Sequence, residues 1–252
     1  MKKLSVAIIT FNEENNLPRA LKSVDFANEV IVVDSFSTDK TVEIAKESGA
    51  VVSQREFPGH VDQKNHALSL TTHDWVLSID ADEAVTDELK AEIVELLKRD
   101  DLKAGYKMPR KCFYLGKWII HSGWYPDYNI RFVDKTRAKW GGTDPHDKLM
   151  LEGETGTLKG DLLHYPYNDL AHHFTTINKY TSIAADRLFK KGKKAGIADI
   201  TIRPFLIFFK KFILKLGFLD GLQGFVISAS TMWYTFCKYL KLYSLHKKHY
   251  SE

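Results

Sequence analysis

The chain has 252 residues, of which 44% are hydrophobic and 27% charged, a balance that suits one sizeable core and excludes intrinsic disorder. Its net charge of +4 is uneven: residues 187–252 carry 13 Lys and Arg against three acids, whereas the first 186 residues carry 23 basic and 29 acidic residues. Cys112 and Cys237 are far apart and lack metal-ligand spacing, which excludes a disulfide framework and a structural zinc site and suits a reducing compartment.

The opening MKKLSVAIITFNEENN superficially resembles a signal peptide, but its apolar run is too short, and LSVAIIT (4–10) reads as a first strand. NLPRALKSVDFA has helical spacing at Leu17, Ala20, Leu21 and Val24. EVIVVDS (29–35) is a second strand, and STDKTVEIAKESG (37–49) a helix stopped by Gly49. AVVSQRE, DQKNHALSLTT, WVLSIDADE and TDELKAEIVELLKRD continue the alternation as strand, helix, strand and long amphipathic helix. That order predicts an α/β fold with right-handed crossovers and a mostly parallel sheet, whose ligands bind beyond the carboxyl ends of the strands. From 104 to 170 the chain is rich in aromatics, glycine and short strand-like pieces, and residues 168–195 look helical. The expected organisation is residues 1–103 as a ligand-binding α/β half, 104–186 as the part of the same domain that completes the site and faces a second substrate, and 187–252 as a basic, apolar helical tail.

Polar residues collect where such a sheet binds ligands. Thr10, Asn12 and Glu13 follow the first strand, Asp34 and Ser35 the second, and Asp80, Asp82 and Glu83 the fourth. There is no GxGxxG after the first strand and no GxxxxGK[ST] anywhere, which counts against dinucleotide and P-loop sites. Asp80 and Asp82, two apart, would point to one side of an extended segment and suit Mg²⁺ or Mn²⁺ shared with substrate phosphates; a solvated acidic turn ahead of the next helix is the plainer alternative. Asp34 is read as free to bind because Ser37 or Thr38 can cap the following helix. Lys64 is either a ligand contact or a surface helix residue.

SVAIITFNEENNLPRALKSV, EVIVVDSFSTDKTVEIA, DQKNHAL and WVLSIDADE, in this order, resemble the family 2 glycosyltransferases of GT-A fold. The resemblance implies a nucleotide-sugar donor, a divalent metal and inversion at the anomeric carbon. Thr10, Asn12 and Glu13 would line the nucleotide pocket, Asp34 would contact the base or ribose, and Lys64 would lie near the nucleotide. Asp80 would contact the ribose or a metal-bound water, and Asp82 would hold the metal on the diphosphate. In GGTDPHDKL (141–149), His146-Asp147 looks like the family's His-Glu step with a shorter acid: Asp147 is then the base and His146 orients substrate or diphosphate, with Asp144 as competitor and a plain Gly-Gly/Asp-Pro turn as the alternative. His164, in LLHYPY, is implied as a further metal ligand or diphosphate contact.

The tail interleaves aromatics and aliphatics with lysines. Leu216–Cys237 is a weak transmembrane candidate, so a basic amphipathic helix pair lying on the inner face of the cytoplasmic membrane is expected, against packing on the domain or in a homodimer. No nucleic-acid module is present in the sequence. With this tail the chain resembles bacterial glucosyltransferases of the lipopolysaccharide core. That implies transfer of glucose, from UDP-glucose, to a lipid-linked saccharide such as an inner-core heptose; a polyprenyl phosphate or other glycan acceptor, or a non-catalytic nucleotide-binding scaffold, are the alternatives.

Overall fold

A computed structural model describes residues 1–143 and 146–249, without the side chains of His146, Lys248 and His249. The chain forms two compact units, residues 1–111 with 126–165 and residues 112–125 with 166–252, so the 104–186 stretch is shared between them.

In the first unit, β1 (Leu4–Thr10), β2 (Glu29–Asp34), β3 (Val51–Gln54) and β4 (Trp75–Asp80) are parallel in the order β3-β2-β1-β4. The helices α1 (Leu17–Ser23), α2 (Thr41–Glu47) and α3 (His60–Leu70) connect them. Unbroken apolar strands demand cover on both faces. Leu4, Val6 and Ile8 join one buried cluster and Ala7, Ile31 and Val33 another, as period-two side chains must.

β5 (Glu83–Val85) follows a two-residue turn, and α4 (Asp87–Leu96) is capped by the Thr86 hydroxyl, which accepts from the Leu89 amide at 3.3 Å. β6 (Gly105–Tyr114) extends into the second unit, where Phe113 and Tyr114 pair with β7 (Lys117–Trp118). β8 (Asp127–Asp134) lies antiparallel between β4 and β6. β9 (Ala138–Thr143) and β10 (His146–Leu151) make a separate hairpin, β11 (Thr155–Thr157) pairs with β6, and β12 (Leu162–His164) runs antiparallel to β5. The sheet is therefore parallel where the crossovers are and antiparallel beyond β4, except that β11 runs parallel to β6.

The second unit holds α5 (Leu170–Lys190), α6 (Ile197–Ile200), α7 (Ile202–Phe209) and α8 (Leu222–His249). The Leu216–Cys237 candidate span is not one helix. Leu216 has φ 54°, residues 217–220 form a 3₁₀ turn, and Gly221 has φ 68°. A Cβ on Gly224 would lie 1.8 Å from the Gly217 carbonyl, so glycine is what lets this turn press against the start of α8. Among the described residues no helix is long and apolar enough to cross a membrane.

Candidate functional site

The parallel register sets Thr10 beside Asp34 and Ile9 beside Asp80, so three predicted residues end three adjacent strands at one edge. The Thr10 hydroxyl is buried with no hydrogen-bond partner among the described residues, and a buried orphan of this kind is what a bound polar ligand satisfies. Asp34 is fully buried and is not free as expected. Its carboxylate accepts from the Ser37 amide at 2.9 Å, from Gln54 Nε2 at 3.0 Å and from the Ser37 hydroxyl. The Ser37–Thr38 capping expectation fails because Asp34 draws Ser37 into its own turn; the helix begins only at Thr41, whose amide donates to Asp39 at 3.0 Å.

Asn12, in the left-handed region at φ 54°, ties the two loops together: its amide donates to Ser37 Oγ and its Oδ1 accepts from the Thr38 amide, both at 2.8 Å. Glu13 accepts from Asn16 Nδ2 at 2.8 Å. Burial pushes the Glu13 carboxyl up to about 7, and the charges of Asp82, Asp39 and Asp80 push the same way against the Asn16 hydrogen bond.

The three acids at the end of β4 divide into two groups: Asp80 and Glu83 share Arg131, and Asp82 stands apart from it. Ala81 and Asp82 form a turn, so Asp-Ala-Asp is not the extended segment expected, and its carboxylates do not share one set of contacts. Asp80 lies 2.9 Å from Lys64 Nζ and 3.0 Å from an Arg131 nitrogen. Burial alone would raise its pKa, but Lys64 and Arg131 together hold it well below the usual carboxylate range. Glu83 is fully buried between Arg131 at 2.9 Å and Arg110 at 3.3 Å, and it accepts from the Asp80 amide at 3.0 Å, which closes the turn. Asp82 faces His164, with Nε2 to Oδ2 at 3.2 Å. The ladder explains that contact: His164 pairs with Glu83, and the Tyr165 amide donates to the Asp82 carbonyl at 2.9 Å.

Lys64 is buried rather than a surface residue. Its Nζ lies between Asp80 and Asp147, 2.8 Å from the latter, and 4.5 Å from the centre of the Trp140 ring. Its neighbour Asn65 clasps the Trp140 backbone, donating to the carbonyl at 2.9 Å and accepting from the amide at 3.0 Å. Two successive α3 residues thus hold the β9–β10 hairpin against the strand ends. Gly141 and Gly142 are strand residues of β9, opposite Lys148 and Asp147, and not the turn that Gly-Gly suggested. Asp144 and the His146 side chain lie outside the described residues.

Arg131, Arg110 and Asn65 were not anticipated. An arginine set inside the apolar run from Ile130 to Val133 was the available signal, since a buried guanidinium needs a carboxylate. Among the described residues no group of three or more His, Cys, Asp or Glu side chains is arranged to hold a metal ion. Asp82 and His164 offer one carboxylate and one imidazole, a set that fits Mg²⁺ or Mn²⁺ only if substrate phosphate oxygens and water complete the shell.

The model of Glycosyl transferase family 2 matches residues 5–151. An uncharacterized glycosyltransferase of Rickettsia typhi is 34% identical over 98% of this chain and 88% of its own length. The lipopolysaccharide core biosynthesis glycosyltransferase LpsC of Rhizobium meliloti is 26% identical over 96% of this chain and 93% of its own. Among solved structures, TarS 1-349 of S. aureus in complex with UDP superposes with a TM-score of 0.51 at 17% identity, covering 99% of this chain and 91% of that one. The fold is of the GT-A type.

Proposed function

The chain belongs to glycosyl transferase family 2, and from that membership we propose that it is an inverting, metal-dependent hexosyltransferase acting on a lipid-linked saccharide. The observation that carries the reading is Lys64, whose ion pairs with Asp80 and Asp147 bring an acid from a distant hairpin to the strand-end acids. The donor class is UDP-sugar, glucose first among the candidates, supported by the fold shared with a UDP-bound structure. The acceptor class, such as an inner-core heptose, is supported by the lipopolysaccharide core relative.

In this reading Thr10, Asn12, Glu13, Asp34, Lys64 and Asp80 hold the nucleotide, and Asp82 with His164 holds the cation. Bound there, Mg²⁺ or Mn²⁺ supplies positive charge to the departing diphosphate. Asp147 accepts the proton of the acceptor hydroxyl as its oxygen bonds to the anomeric carbon, while the bond to the diphosphate breaks on the opposite face. A carboxylate placed for this step contributes about 100-fold to 10,000-fold. His146 orients the acceptor or diphosphate, and Lys64 fixes Asp147 without itself taking a proton.

The test is transfer from UDP-glucose to inner-core lipopolysaccharide acceptor, with the linkage read by NMR. A β-linked product that needs Mg²⁺ or Mn²⁺ is expected. An α-linked product overturns inversion, and transfer only to a polyprenyl phosphate overturns the acceptor.

A further inference from the structure

α7 presents apolar side chains on two sides. Phe208 packs inward on Phe225 of α8 at 5.7 Å between ring centres, and Phe212 beyond it on Phe225 at 5.9 Å. The other side carries Ile202, Phe205, Leu206 and Phe209, continued by Ile213, a spacing of one helical face. Phe205 is 68%, Leu206 61% and Phe209 53% exposed. Exposed large apolar residues are ordinary singly; a contiguous row of them marks an interaction surface.

The charges say what covers it. Lys210 and Lys215 flank the row, exposed and with no acid partner among the described residues. The acids of this stretch are engaged: Asp199 pairs with Arg203 at 2.9 Å, and Asp220 is buried against His121 at 3.0 Å. The free charge at the rim is therefore positive. A second copy of the chain, docked face to face, would set these lysines against their own counterparts across a two-fold axis. An anionic surface with an apolar interior complements both features at once. An eight-residue helix is about 12 Å long, too short to span a bilayer but suited to lying in its interface.

We propose that the outward face of α7 and the turn after it dock the protein on an anionic lipid surface, with Phe205, Leu206 and Phe209 in the acyl boundary and Lys210 and Lys215 at the headgroups. The assignment does not rest on the transfer reaction.

Flotation of the full chain with vesicles of phosphatidylcholine alone, and with phosphatidylglycerol added, tests it. The protein should float with the anionic vesicles and lose this in high salt. The triple variant Phe205→Ser, Leu206→Ser, Phe209→Ser should weaken binding at least about ten-fold. Lys210→Gln and Lys215→Gln should each weaken it roughly five-fold. All three variants should keep the wild-type thermal shift with UDP and Mn²⁺, which separates loss of docking from loss of the donor site. Wild-type protein that stays with the soluble fraction, or variants that float unchanged, overturns the proposal. Wild-type dimers that the triple variant converts to monomers, without vesicle binding, overturn it in favour of a copy-to-copy interface.

Discussion

At the strand ends of the first unit, Lys64 stands between Asp80 and Asp147, and Glu83 between Arg131 and Arg110, so the buried charges are matched. Around α7 in the second unit, Lys210 and Lys215 have no acid partner among the described residues, and large apolar side chains face outward. The difference follows from where each group sits. A charge withdrawn from water must be paired at several kcal/mol of risk, whereas an exposed lysine costs almost nothing and an exposed phenylalanine costs burial energy it could have gained. Matched charges therefore mark a site built inside the fold, and uncovered apolar residues mark a surface that the chain alone does not finish.

The comparison can be broken at either end. The largest expected effect is at the acids: Asp82→Asn and Asp147→Asn should each lower transfer at least about 100-fold in a radiolabelled-sugar assay, Asp82→Asn while unfolding as the wild type does and Asp147→Asn while keeping a cooperative transition at reduced stability, because it leaves the buried Lys64 with Asp80 alone. Near-wild-type turnover in either variant would remove that residue from the chemistry. Arg131→Met should cost about 3–5 kcal/mol in urea unfolding, because it strips a fully buried Glu83 of its nearer partner. Glu13 gives a pH signature. Its folded value of about 7 lies above the ordinary 4.5, so its contribution to stability is fully present below 4.5 and is lost as pH rises towards 7. Glu13→Gln should therefore gain on the wild type over that window, by about 2–3 kcal/mol at its upper end, read from denaturation curves across pH. The smallest effect belongs to α7: Phe205→Ser should change unfolding free energy by no more than about 0.5 kcal/mol, since little of that side chain is buried.

Much of the first unit was legible in the sequence because its information is local. Each apolar run such as EVIVVD is followed, after a short loop, by the helix that returns the chain, so strand type and direction follow from neighbours, and the strand-end polar residues follow from direction. The long-range pairs were not legible. Nothing near Glu83 announces Arg110, 27 residues away, or Arg131, 48 away. The Asp-Ala-Asp turn escaped for the same reason, because it is closed by the Glu83 side chain and by pairing with β12 rather than by turn residues. In the tail, apolar and basic character was plain, but the helix break at 216–221 depends on Gly217 and Gly224 meeting, a contact that composition does not encode.

The most direct test of the central claim is calorimetric titration of UDP into wild-type protein and Asp82→Asn, each with Mn²⁺ and with EDTA. The account predicts tight binding only for the wild type with Mn²⁺, and binding weakened about ten-fold or more in the other three conditions. Equal affinity in all four would contradict it, and the acids after β4 would then be a charge network of the fold rather than the seat of a diphosphate and its metal.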